Sequence, residues 1–360
     1  MFTKRMTLAA ASALVIALPA LAISASAQDA PEAFKGSGTL IVNNWGGPTV
    51  GKMHDAWYGD FPAATGIDIA FTSVPDVAKL QIMAQVGNIE WDVVDFEGNQ
   101  MLMAMKEGLL EPIDYDLLYS LVPKEDLDAA VLTEYGVGSV AFSTIIAWNT
   151  ELFPEGGPKD WVEFFDTDAF PGRRALYANP KPALEIAMLA AGKAPNTLYP
   201  MDIDEAFAAL NAIGPKVDLW VEKTSQWDVL IQNREVDLMG SSLARTMAQI
   251  QAGEPYALTY NQSISEQSYW TIPKGAPNVE NAQKLVAWTV REEGAKRALE
   301  LLPYYGMTNI AVYDDLAPEL KAELPGAPEN AATAHRIDAQ WWFDNGAEVR
   351  TRWLDWLSKQ

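Results

Sequence analysis

The stretch WDVVDFEGNQ, residues 91–100, concentrates the side chains best able to do chemistry. An apolar run leads into Asp95, Glu97 and Asn99, and strand alternation puts all three on one face if the strand continues that far. Carboxylates at the carboxyl end of a strand are well placed for a cationic group, because open α/β sheets bind ligands there. Their competing role is to cap the next helix, whose first turn also favours anions. EKTSQWD (222–228) offers the hydroxyls of Thr224 and Ser225. MGSSLARTM (239–247) offers Ser241, Ser242 and Arg245, whose guanidinium grips carboxylates in a bidentate fashion. SISEQSYW (263–270) adds Glu266, Tyr269 and Trp270. In LIVNNWGGPT (40–49), a strand-like run delivers Trp45 straight into Gly46-Gly47, a setting that displays a ring at a cleft mouth.

Enzyme signatures are scarce by comparison. His54 and His335 each stand alone, and there is no Walker A loop, no G-x-S-x-G elbow and no H-E-x-x-H. GVGSVA (136–141) satisfies G-x-G-x-x-A formally, but it leads into a β-branched run, whereas a phosphate cradle must open a helix. The acidic, Trp-rich composition leaves a secreted carbohydrate hydrolase as the alternative, which needs two facing carboxyl groups about 5–9 Å apart in an open groove. A sugar binder with stacking rings and no charge selectivity is the third reading.

The elements that position these residues alternate. Strands are expected at 39–45, 66–74, 91–98 and 218–224, and helices at 48–58, 75–88, 100–112, 183–192 and 202–214. Residues 227–242 read as a helix followed by a short strand. Residues 278–300 read as one helical stretch, and 336–360 as a terminal helix packing several indoles. Strand–helix–strand order with short loops argues for a mostly parallel sheet flanked by helices. Two long strand-like segments, 137–149 and 256–272, divide the chain into two lobes that the backbone enters, leaves and re-enters.

Composition narrows the class. With no cysteine the chain has no disulfide, no zinc–thiolate site, no thiol nucleophile and no lipid-bearing cysteine. Lys4 and Arg5, an apolar run from Met6 to Ile23 and Ala25-Ser26-Ala27 form a secretory signal peptide over residues 1–27. Its removal leaves 24 basic against 48 acidic residues, so nucleic acid and anionic membranes are poor partners. The expected compartment is the periplasm, the expected state a monomer with no membrane insertion, and no cofactor or metal is indicated.

The ordered landmarks VNNWGG (42–47), FPAATGIDI (61–69), QIMAQVGNIEWDVVDFEG (81–98), AFSTIIAWNTELF (141–153), YWTIPKGAPNVENAQKLVAW (269–288) and YYGMTNIAV (304–312) carry a resemblance over nearly the whole mature chain. The sequence resembles the extracellular solute-binding proteins of bacterial ABC importers, in the branch that contains spermidine- and putrescine-binding proteins. The resemblance implies an α/β, two-lobed periplasmic-binding-protein fold of type II with hinge strands, no catalysis, and delivery of a small solute to a membrane permease. Its implied division is lobe 1 from 28–142 plus 271–305, lobe 2 from 143–270, and a C-terminal helical segment, 306–360, packing on the lobes. Trp45 is then expected to stack on ligand and Asp95, Glu97 and Glu266 to meet an ammonium. Ser143, Thr224 and Ser225 are expected to hydrogen-bond polar groups, and Arg245 to test for a ligand carboxylate. Where the polyamine pattern has Gly-Trp-x-Gly/Ala-Asp, this chain has Gly240-Ser241-Ser242-Leu243-Ala244-Arg245. Where it has Trp-x-Asp, this chain has Glu266 and Ser268. The expected ligand is therefore a small amine-bearing solute, either a polyamine or a zwitterionic amine such as an amino acid, betaine or opine-like compound, which fits these departures as well or better.

Overall fold

The computed structural model describes residues 30–45, 48–72 and 74–360. The signal peptide and Gly46-Gly47 lie outside the described residues. The strands are β1 (Thr39–Asn43), β2 (Asp68–Thr72), β3 (Val93–Glu97), β4 (Leu110–Glu111), β5 (Leu132–Thr133) and β6 (Gly136–Asn149). They continue as β7 (Arg174–Tyr177), β8 (Leu219–Val221), β9 (Leu238–Ser242), β10 (Tyr256–Pro273), β11 (Gly306–Met307) and β12 (His335–Arg336).

The main sheet path runs β2-β1-β3-β10-β6-β9-β7-β8. It has two matching halves. β2, β1 and β3 are parallel and end against antiparallel β10, while β8, β7 and β9 are parallel and end against antiparallel β6. Each half is a lobe with helices on both faces, which is why its strands are apolar on both sides. In the first lobe Val42, Val93, Trp270 and Trp288 share one cluster, and Val94, Phe96 and Trp91 pack on the opposite face of β3. In the second, Ile146, Leu176 and Leu238 face one layer, and Ile145, Ala175 and Met239 the other.

The two long strands join the lobes. β6 contributes Val137 and Val140 to the first core but Ile145, Ile146 and Ala147 to the second. β10 contributes Ile264 to the second core and Ile272 to the first. The segments between these anchors, about Ala141–Thr144 and Ser265–Ser268, are where the two strands cross from one lobe to the other. The expected two-lobed type II arrangement is therefore what the structure shows. Gly136 and Gly138 of the formal G-x-G motif open β6, where a Cβ would strike Met101 and Val131 respectively, so packing accounts for both glycines.

Local signals account for most boundaries. Asp76 caps the helix Val77–Val86 by accepting from Ala78 and Lys79 N–H at 2.8 and 3.2 Å, and Gly87 ends it at φ 70°. One expectation needs correction. Residues 278–300 form two helices, Val279–Thr289 and Glu292–Leu301. Arg291 breaks the run in extended conformation, with its guanidinium 2.8 Å from Asp60 Oδ2 and stacked over Trp288. That long-range pairing overrides the helical periodicity. The terminal helix Ala339–Leu357 seats Trp341, Trp342, Trp353 and Trp356 on the second lobe, and Trp342 donates to the buried Glu185 at 2.7 Å.

Candidate functional site

The carboxyl ends of β1 and β3 in one lobe and of β7, β8 and β9 in the other converge on a cavity of about 400 Å³ floored by the hinge strands. Six of the eight singled-out residues line it: Trp45, Asp95, Glu97, Ser143, Thr224 and Glu266. Trp45 follows β1, is 36% exposed, and its backbone N–H is held by Asn44 Oδ1 at 2.6 Å. The ring thus stands at the cavity wall on a braced backbone.

The strand register explains the acidic wall. β10 pairs with β3 so that Ser268 lies opposite Glu97 and Trp270 opposite Asp95. Alternation then brings Asp95, Glu97, Glu266 and Ser268 to one face. Asp95 is 1% exposed and accepts from Ser139 Oγ at 2.7 Å; among the described residues no cationic side chain pairs with it. Burial pushes its carboxyl up to about 7, opposed by the Ser139 hydrogen bond and reinforced by Glu97. Tyr58, also buried, is raised by desolvation and then by the charge of Asp95. Asn99 does not share this face. The strand ends at Glu97, the helix Gly98–Lys106 begins at once, and Asn99 turns into a separate recess beside Tyr269 and Trp342. Glu97 stands at that helix's N-cap, with its own N–H held by Gln100 Oε1 at 3.2 Å.

Glu97 and Glu266 have a partner that sequence reasoning missed. Lys181 Nζ makes a close ion pair with Glu266 and lies 3.9 Å from Glu97. Burial opposes the charge on Lys181, yet Glu266 and then Glu97 hold its pKa above the ordinary value. Desolvation carries Glu266 up to about 7 against the pull of Lys181. Asn179 Oδ1 accepts the Lys181 backbone N–H at 3.2 Å, and Lys181 itself is non-helical, so its side chain leaves the start of the helix Pro180–Ala190 towards the cleft.

The opposite wall is neutral and polar: Tyr177 at the end of β7, Asn179, Thr224, Ser242, and Ala244 in the first turn of the helix Leu243–Gln251. Unpaired N–H groups at such a turn favour negative charge. Tyr304 and Tyr305 complete the lining as an edge-to-face pair 5.3 Å apart. They belong to the quoted YYGMTNIAV landmark, which marked their place without marking their role. Ser225 and Arg245 do not reach the wall. Ser225 is exposed at the start of the helix Gln226–Gln232. The Arg245 guanidinium is held by Asp228 at 2.9 Å, and Gln249 fixes the other Asp228 oxygen. Arg245 acts on the cavity only through its field, which lowers the pKa values of Tyr177 and Tyr305 against the larger effect of burial.

Residues 56–326 match the family model of bacterial extracellular solute-binding proteins. The chain belongs to this family. Among its relatives is the gamma-aminobutyric acid-binding protein of Pseudomonas aeruginosa, 28% identical over 355 residues that cover 96% of each chain. Among solved structures it is similar to an ABC transporter substrate-binding protein from Bradyrhizobium japonicum, at 30% identity and a TM-score of 0.82, covering 88% of this chain and 99% of that one. It is also similar to the binding protein AgtB of A. tumefaciens in complex with agropinic acid, at 30% identity and a TM-score of 0.72, covering 89% and 99%. The inter-lobe cavity described above lies where the strand ends of both lobes meet, the position at which open α/β sheets bind ligands in general. Among the described residues, no helix of this solute-binding protein is long and apolar enough to cross a membrane.

Proposed function

We propose that this protein is the periplasmic binding component of an ABC importer and that its cleft captures a small zwitterion carrying one ammonium and one carboxylate. Asp95 carries the proposal: it is a buried carboxylate bordering the cavity that, among the described residues, has a serine hydroxyl as partner and no cation of its own. An ammonium supplied by the solute satisfies it, and Trp45, Tyr304 and Tyr305 offer ring faces worth about 0.5–2 kcal/mol each to a cation. The hydroxyls of Tyr177, Thr224 and Ser242, with the first turn that holds Ala244, suit the carboxylate end. Arg245 adds a favourable field without contact. The gamma-aminobutyric acid named for the Pseudomonas relative is a zwitterion of this kind and fits easily in about 400 Å³.

The protein performs no catalysis in this account. Of the three cleft carboxylates, Glu97 and Glu266 share Lys181, which leaves Asp95 as the one carboxylate without a cation among the described residues, whereas a glycosidase works with a pair. The signal peptide sends the chain to the periplasm, where the loaded monomer delivers its solute to an inner-membrane permease.

A thermal-melt screen of residues 28–360 against amino acids of varied chain length, betaines, diamines and simple sugars tests the ligand class. A solute at about 100 times its dissociation constant adds about 2.7 kcal/mol of stability, at least about 2 °C for a chain of this size. We expect such a shift with an ω-amino acid and none with neutral sugars. A shift with sugars alone would overturn the reading.

A further inference from the structure

The cleft holds three carboxylates, and two of them are already occupied. Lys181 reaches out of the second lobe to Glu266 on the hinge strand and to Glu97 at the end of β3 in the first lobe. The Lys181 and Glu266 side chains are each only 16% exposed, so the pair is largely withdrawn from water. Its backbone anchor at Asn179 and its non-helical geometry direct the side chain to this place and away from the helix surface.

We propose that Lys181 is a built-in cation that determines specificity: it fills the position a second ligand ammonium would take and so restricts the cleft to solutes with a single ammonium. The proposal rests on the ammonium-binding reading of the cleft given above. Without Lys181, Glu97 and Glu266 would present two carboxylates close enough to share one nitrogen. Together with Asp95 they would make a site with acidic groups for both ends of a diamine. A free diamine has to displace a tethered amine, whose effective concentration at the two carboxylates far exceeds that of any dissolved solute. It therefore finds only Asp95 open and leaves its second charge in the cleft without a partner, which is costly. A zwitterion has no second ammonium to place, so the lysine leaves its single ammonium free to reach Asp95.

The test compares 1,4-diaminobutane with gamma-aminobutyric acid, which differ only at one end, by isothermal titration of wild type and Lys181→Met. Wild type is expected to bind the amino acid and to bind the diamine at least tenfold more weakly. Lys181→Met is expected to gain at least tenfold for the diamine and to raise the ratio of diamine to amino-acid affinity at least tenfold. No diamine gain in a folded Lys181→Met protein whose wild type binds the amino acid overturns this inference alone. Wild type binding neither amine overturns the ammonium reading together with it. If Lys181→Met does not fold, the double variant Lys181→Met/Glu266→Gln relieves the unpaired charge and keeps Glu97 as anchor. A diamine gain there supports the role of Lys181, and its absence overturns it.

Discussion

Asp95→Asn is expected to weaken binding of any ammonium-bearing solute by about 100-fold or more. Truncating one partner of a buried, hydrogen-bonded charge pair costs on the order of 2–5 kcal/mol, and each 1.4 kcal/mol is a factor of ten. The amide keeps the size of the carboxylate and an oxygen for Ser139 Oγ, so the wall keeps its shape while losing its charge. Stability should move the opposite way. A buried carboxylate with no cation nearby is costly to ionise, and the variant escapes that cost. At pH 8 the solute-free variant should therefore melt above wild type while binding far less tightly. Calorimetric titration and thermal melts on one preparation measure both. A variant that lost affinity and stability together would instead indicate a damaged fold.

The second large effect is on pH dependence, and its sign follows from the direction of the shift. Asp95 has an ordinary value of 3.8 and is raised to about 7 in the fold, so the folded state binds its proton more tightly than the unfolded chain does. The associated stability is present in full below pH 3.8 and is lost as pH rises through about 7, amounting to roughly 4 kcal/mol at most for this group. Glu266, raised from 4.5 to about 7, titrates in the same direction over the same interval. The solute-free protein should thus be less stable at pH 8 than at pH 5.5. Binding should run the other way, because an ammonium pairs with the ionised carboxylate. Affinity is expected to fall about tenfold for each pH unit below 7 and to level off above it, with protons released on binding near neutrality. Asp95→Asn should flatten most of that slope.

The frame of the molecule was legible because it rests on local patterns. The two long strand-like segments became β6 and β10, and Asp76 with Gly87 bounded a helix where capping chemistry placed it. Asp95, Glu97 and Trp45 could be singled out because strand ends in α/β folds face the ligand side, a rule that needs no tertiary detail. Lys181 was not legible. Between Pro180 and Pro182 it reads as part of a turn, and its meeting with Glu266 depends on how two lobes close around a hinge. Arg245 illustrates the converse. Its residue type suits a carboxylate, but Asp228, one helix earlier, takes the guanidinium first. Arg291 breaks a periodic helix for an equally distant reason, its pairing with Asp60. Tyr177 carried no motif, and Tyr304 and Tyr305 lay in a landmark that did not mark their role; all three joined the site only when the strand ends were brought together.

The claim at the centre of this account is that the cleft reads an ammonium and a carboxylate on one small molecule. Calorimetric titration of wild type at pH 8 with gamma-aminobutyric acid, with butylamine and with butyrate isolates the two ends. Measurable binding of the amino acid is expected, with about 100-fold or greater loss for each truncated analogue. Butylamine binding as tightly as the amino acid, or butyrate doing so, would contradict it.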